Sequence, residues 1–387
     1  MNKACQLAAV ALLAAGCAAP EIKKAPAVSG DLVEEGRKLI AAASEKDKIL
    51  WRYRVALVAM KAGRFTDARQ LLDECLPTIG AILTADERTI KARSLFGNEA
   101  QKIYVGEPYE QAMAYFYRGL IYWMDGEPDN ARACFKSAQL IDGDAKDKAF
   151  ASDFALLDYL DGFATAKLLG DGSDMLRRAR ASAVSSKTNA LTALPDYDRQ
   201  ANVLAFFQFG FGPLKHGGGR YGERLQYHVG HSAVHSVRFK IGEQTLHVSA
   251  LDDLSFQATT RGGRLMDDIL ADKGALKKPL DAIATVAPVA GAVLAGPKET
   301  RGTALPIIGA GVVAGAVSNA AEAMADTRTW NNLPQHLAFT AFRLPPGSHT
   351  AAMEFFDRDG KPLPKLTRSL TFEVRVGRDT VLFISDQ

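Results

Sequence analysis

The chain has 387 residues, of which 47% are hydrophobic and 24% charged, the balance of a globular protein with a sizeable core. That composition excludes a wholly disordered chain, a collagen-like fibre and a polytopic membrane protein. Lys+Arg 47 against Asp+Glu 44 leaves a formal charge of only +3 with no strongly basic block, so nucleic acid is not an expected partner.

Met1-Asn2-Lys3 is a short cationic start and residues 7–15 form an apolar, Ala/Leu-rich run. Together they read as a signal peptide over 1–16, too short to serve as a stable bilayer anchor. The run ends in Leu13-Ala14-Ala15-Gly16-Cys17, which resembles a bacterial lipobox. Small residues there let a signal peptidase reach the backbone, and the Cys17 thiol accepts a diacylglycerol. Ala14 stands where such motifs usually carry Leu, with Leu13 one place earlier. Cleavage leaves Cys17 as the acylated N-terminus, held to a membrane by two or three acyl chains. The alternative is an ordinary secretory signal with a chance cysteine. Ala18 follows, where similar lipoproteins kept in the inner membrane carry Asp, and this points to the periplasmic side of the outer membrane. Residues 17–30, rich in Ala, Pro and Lys, read as a lipidated flexible tether. Cys75 and Cys134 fall among apolar helical residues and read as small buried hydrophobes, while a disulfide between them is left open.

Helical periodicity with little strand signal fills 31–190. Tyr115, Gly119, Tyr122, Ala131, Phe135 and Ala138 stand at the alternating large and small spacings that resemble a tetratricopeptide repeat. Gly119 would let two antiparallel helices approach, with Phe135 packed between Ala131 and Ala138, and Gly126 opening the turn. Further units align on Gly63 and Gly170, too far apart for tight tandem. Such repeats stack their apolar faces and leave a concave groove, read as a seat for a peptide or partner protein or as plain scaffolding.

The region 191–260 reads as β-hairpins: a bulky run ending at Phe209, a Gly-rich loop at Gly217 to Gly219, and two strands near 236–241 and 245–250. The loop lacks the Gly-Lys-Ser/Thr of a phosphate cradle. His228, His231 and His235 form the single histidine cluster, and extended backbone would put His231 and His235 on one face and His228 on the other. Solvent-facing or hydrogen-bonded imidazoles are expected, and no metal site. The region 261–330 turns Ala/Gly-rich, with apolar runs at 280–295 and 304–325 that read as a helical hairpin packed on protein or, alternatively, touching a membrane. Alternation without a fault from Ser369 to Val376, with a further strand after Gly377-Arg378-Asp379, gives 331–387 as a small antiparallel β-sandwich.

The fold class expected is therefore α+β. Gly106-Glu107-Pro108-Tyr109-Glu110 with its continuation to Gly119, Gly210-Phe211-Gly212-Pro213-Leu214-Lys215, 325–330 (Ala-Asp-Thr-Arg-Thr-Trp) and Leu344-Pro345-Pro346-Gly347 resemble a family of poorly characterised bacterial outer-envelope lipoproteins with tetratricopeptide-like repeats. The resemblance implies architecture and location, and companionship with envelope lipoproteins, some similar to activators of peptidoglycan synthases. It implies no reaction. No Gly-x-Ser-x-Gly elbow, His-Glu-x-x-His helix or Cys-x-x-Cys pair is present, so no catalytic residue and no cofactor are expected. The expectation is a non-enzymatic, lipid-anchored periplasmic scaffold that binds an envelope protein. The alternative is a membrane-remodelling or pore-associated subunit acting through 280–325.

Overall fold

The computed structural model describes residues 30–83, 103–143, 154–185, 194–218, 224–260 and 325–387. Cys17, the expected signal peptide, the expected tether up to residue 29 and the expected helical hairpin within 261–324 lie outside these residues.

The helices are α1 (Leu32–Ala42), α2 (Lys48–Lys61), α3 (Phe65–Asp73), α4 (Leu76–Leu83), α5 (Pro108–Asp125), α6 (Pro128–Gly143), α7 (Ala155–Leu169) and α8 (Ser173–Ser185). Their ends follow local chemistry. The Asp31 carboxylate accepts from the N–H groups of Val33 and Glu34 at 2.9 and 3.3 Å and starts α1. Pro108 opens α5 behind a capping box between Glu107 and Glu110. Gly63, Gly126 and Gly170, which follow α2, α5 and α7, all lie in the left-handed region with φ of +71°, +85° and +93°. Consecutive helices pack as neighbours: α2 on α3, α5 on α6, α7 on α8. At Gly119 a Cβ would stand 2.7 Å from Phe135 Cε1, so only glycine lets α5 and α6 come this close. Among the described residues, no helix is long and apolar enough to cross a membrane.

The strands are β1 (Val203–Phe209), β2 (Leu214–Gly218), β3 (Arg224–His228), β4 (Ser236–Ile241), β5 (Gln244–Ser249), β6 (Asp252–Asp253), β7 (His336–Phe342), β8 (Gly347–Phe356), β9 (Arg368–Val374) and β10 (Thr380–Ser385), with α9 (Leu254–Thr260) after β6. One sheet has the order β10-β1-β7-β6 and the second β5-β4-β8-β9, while β2 and β3 form a separate ribbon. Here the structure corrects two sequence expectations. Strands from 191–260 and from 331–387 share both sheets, alternating in the first and meeting at the β4–β8 pair in the second, so these are not two separate modules. The sandwich is not purely antiparallel either, because β1 runs parallel to β10 and antiparallel to β7. The cause lies in β1, which is apolar at nearly every position and buried along its whole length. Leu204 and Phe206 enter the core shared with the helices, whereas Val203, Ala205, Phe207 and Phe209 enter the core between the sheets. A strand greasy on both faces needs cover on both. A smaller correction concerns β9, which ends at Val374 and leaves Val376 83% exposed.

The helices cover the first sheet directly. Phe116 of α5 meets Phe206 at 6.1 Å between ring centroids, Tyr117 meets Phe383 at 6.0 Å, and Phe163 of α7 meets Phe339 at 6.0 Å. The molecule is thus layered as helices, sheet, sheet. The face formed by α2, α5 and α7 carries the chain's own β1, β7 and β10. The helices α3, α6 and α8 stand behind; α6, for example, buries Ala131, Cys134, Phe135 and Ala138 and exposes Lys136 and Leu140.

Candidate functional site

The densest polar chemistry of the described residues lies where the helices meet the sheets, at the N-terminus of α5. The Glu110 side chain there is 0% exposed. One carboxylate oxygen, Oε1, accepts from the Trp330 backbone N–H at 2.7 Å. The other accepts from the Glu107 backbone N–H at 2.7 Å and from the Lys215 ammonium. Lys215 Nζ also donates to the Arg328 carbonyl at 2.9 Å, and its backbone N–H donates to Thr329 Oγ1 at 3.1 Å. The negative charges of Glu107 and Glu110 suit the positive end of α5.

A second ion pair flanks the first. Arg328 clamps Asp326 with Nε and Nη2 at 2.9 and 2.7 Å and reaches Asp47 Oδ1 at 2.9 Å. Burial works against the Asp326 carboxylate, but the Arg328 guanidinium outweighs it and holds the acid below its ordinary range. Between the two cations stands Tyr104, whose ring centroid is 5.3 Å from both Lys215 Nζ and the Arg328 guanidinium carbon. Burial, and then the nearby Glu110 carboxylate, push the phenols of Tyr104 and Tyr109 far above the usual range. Trp330 stacks on Tyr53 at 4.5 Å and closes the cluster, while Arg54 donates to the Thr329 carbonyl at 2.6 Å.

Of the stretches 106–119, 210–215, 325–330 and 344–347, three meet here: 106–119 supplies Glu107 and Glu110, 210–215 supplies Lys215, and 325–330 supplies Asp326, Arg328 and Trp330. The fourth lies elsewhere, at the β7–β8 turn, where the Asn202 amide holds Leu344 through bonds of 2.8 and 2.9 Å. Both flanks of 261–324 are seated on α5: α9 packs against it, and Asp326 to Trp330 dock at its start. Each Glu110 oxygen already has a donor, and the Lys215 side chain is 1% exposed. The arrangement clasps three distant segments together.

The other sequence-stated residues are dispersed. Tyr115, Gly119, Ala131, Phe135 and Ala138 are buried between α5 and α6, and Tyr122 is half-buried with the Arg118 guanidinium 3.5 Å above its ring. Burial pushes the thiols of Cys75 and Cys134 up to about 12, and both are free. The histidines do not form one cluster. β3 ends at His228, so the shared face expected for His231 and His235 has no strand to define it. His228 stacks on His216 at 3.9 Å, His231 pairs with Phe211 through backbone bonds of 2.8 and 2.9 Å, and His235 meets His336 edge-on at 5.5 Å. Among the described residues no group of three His, Cys, Asp or Glu stands close enough to hold a metal ion.

Two carboxylates that sequence reasoning passed over tie the layers. Asp252 accepts from the N–H groups of Ala155 and Leu156 at 3.2 and 2.7 Å, capping α7 from a strand of the first sheet. Asp379, in the β9–β10 turn, accepts from Trp123 Nε1 at 2.9 Å and Lys167 Nζ at 2.7 Å. The sequence signal for both was an acid beside a strand or turn; nothing local names the helix that each one meets. No protein-family model, curated protein or solved structure matches the chain.

Proposed function

We propose that this protein is a non-enzymatic, lipid-anchored scaffold on the periplasmic side of the outer membrane, binding a protein partner in cell-envelope assembly or peptidoglycan synthesis. The observation that supports it best is the use made of the buried charges. Glu110, Lys215, Asp326, Arg328, Asp252 and Asp379 all tie chain segments together, which suits a body that holds its shape and works by contact. The face of α2, α5 and α7 is occupied, so the partner is sought on the outer helices and on strand edges. Cys17 supplies the anchor in this reading.

Crosslinking in intact cells, followed by purification from membranes, tests it. The expected result is one envelope protein reproducibly enriched over an unrelated lipoprotein control, together with an acylated Cys17 N-terminal peptide by mass spectrometry. An unacylated N-terminus, or no enrichment, contradicts the proposal. A second reading, a membrane-active subunit working through 280–325, draws support from the seating of both flanks of that region on α5. It predicts that deleting 280–325 weakens membrane retention in the Cys17→Ser background.

A further inference from the structure

The first sheet ends on one side in β6, which is only two residues long and pairs with Leu337 and His336. Beyond it, among the described residues, no strand pairs with the outer edge of β7. Phe342 turns its carbonyl toward β1, where the Asn202 N–H meets it at 3.1 Å, whereas the Leu337 carbonyl faces the other way and takes the Leu251 N–H at 2.7 Å. Backbone groups alternate sides along a strand, so Phe339 and Ala341 direct both N–H and C=O away from β1. Among the described residues none of these four groups has a hydrogen-bond partner. The strand His336–Phe342 also lacks the lysine, proline or inward charge with which natural edges repel added strands. On the opposite edge of the sheet the Arg368 guanidinium donates to the Ser385 carbonyl at the end of β10.

Against this open edge lies a cavity of about 230 Å³, floored by Tyr159, Phe163, Phe339 and Ala341 and flanked by Leu194 and Leu251. We propose that the β7 edge accepts an extended segment of a partner polypeptide as an added strand. The partner residues opposite Phe339 and Ala341 each exchange two backbone hydrogen bonds and point their side chains into the cavity, so the segment reads apolar-x-apolar. The mouth is electrically balanced: Asp196 pairs with Arg180 at 2.9 Å and Asp198 with Arg343. Backbone pairing and apolar burial therefore carry the contact, and it is insensitive to salt.

This inference rests on the scaffold reading and gives it a chemical form. The test uses the full chain and a displayed library of ten-residue peptides with alternating apolar positions, read by fluorescence anisotropy. Selected peptides are expected to bind in the micromolar range. Ala341→Pro removes one outward N–H and leaves every bond to β1, so it should weaken binding at least tenfold with an unchanged melting temperature, while Ala341→Ser binds as before. N-methylation of the two pairing residues of the peptide should give the same loss, which keeps the test sharp if the proline variant misfolds. Equal binding by the proline variant or the methylated peptide, or no selected peptide tighter than 1 mM, overturns the proposal. Self-association that Ala341→Pro abolishes also overturns it, by giving the edge to a second copy. Any of these failures leaves the capture of an envelope protein in cells to stand or fall separately.

Discussion

Glu110 and Lys215 are 105 residues apart in sequence and meet out of water. Removing one partner of such a pair strands the other charge, at a cost of about 3–5 kcal/mol, whereas replacing both by apolar side chains of similar volume is often near neutral. Glu110→Met and Lys215→Met are each expected to lose stability in that range in urea denaturation, and the double variant to regain most of it. Additive losses would show that the clasp is not coupled. Two buried titrations run in opposite directions. Burial, with Arg178 opposing and Asp161 adding, raises the Asp158 carboxyl to about 6, so its cost is felt above that pH and vanishes near pH 4. Asp158→Asn should therefore stabilise by about 1–2 kcal/mol at pH 7.5 and by almost nothing at pH 4, read as urea midpoints. Burial lowers the imidazoles of His235 and His336, with Arg358 adding to the effect and Asp253 opposing it. The stability from keeping them neutral is whole above pH 6.5 and lost as pH falls below it, a slope that His336→Asn should flatten in midpoints measured between pH 7 and 5. At this scale the sequence marked Glu110 as a helix-start acid but left Lys215 as the first residue of a Gly-rich loop. Nothing within a few residues of either one points to the other.

Elements were legible where their signals are local. The capping chemistry of α5, the left-handed turn glycines and the turns before β5 and β10 all stand in the sequence within a turn or two of the structure they make. Pairings were not legible. β1 was readable as a strand from its bulk, yet its neighbour β10 lies at the far end of the chain, and no local pattern selects a parallel partner. The same holds for α7, whose first turn is capped by Asp252 from β6. Asp252→Ala is expected to cost about 1–2 kcal/mol, with faster amide exchange at Ala155 and Leu156 and little change in α5. Unchanged protection at those two amides would mean that the cap is idle.

At the scale of the whole molecule, the first sheet is the shared wall of two cores. Its helix-facing side chains Leu204, Phe206, Phe339 and Phe383 have no other cover among the described residues. Helices and sandwich are therefore expected to unfold as one unit, with calorimetric and van't Hoff enthalpies equal, and two resolved transitions would contradict the layered account. Hydrophobic periodicity foretold an α+β protein, but not this layering, because a boundary drawn along the chain says little about which segments share a sheet. We propose that a body fused in this way, carried on a lipidated Cys17, acts by holding another protein, and photocrosslinking in living cells tests that most directly. A photoreactive residue placed at exposed Lys136, at Arg177 or beside the β7 edge at Thr340 should give a discrete adduct with one envelope protein, lost when Cys17→Ser releases the chain from the membrane. Adducts no different from those of an unrelated lipoprotein at all three positions would contradict the account.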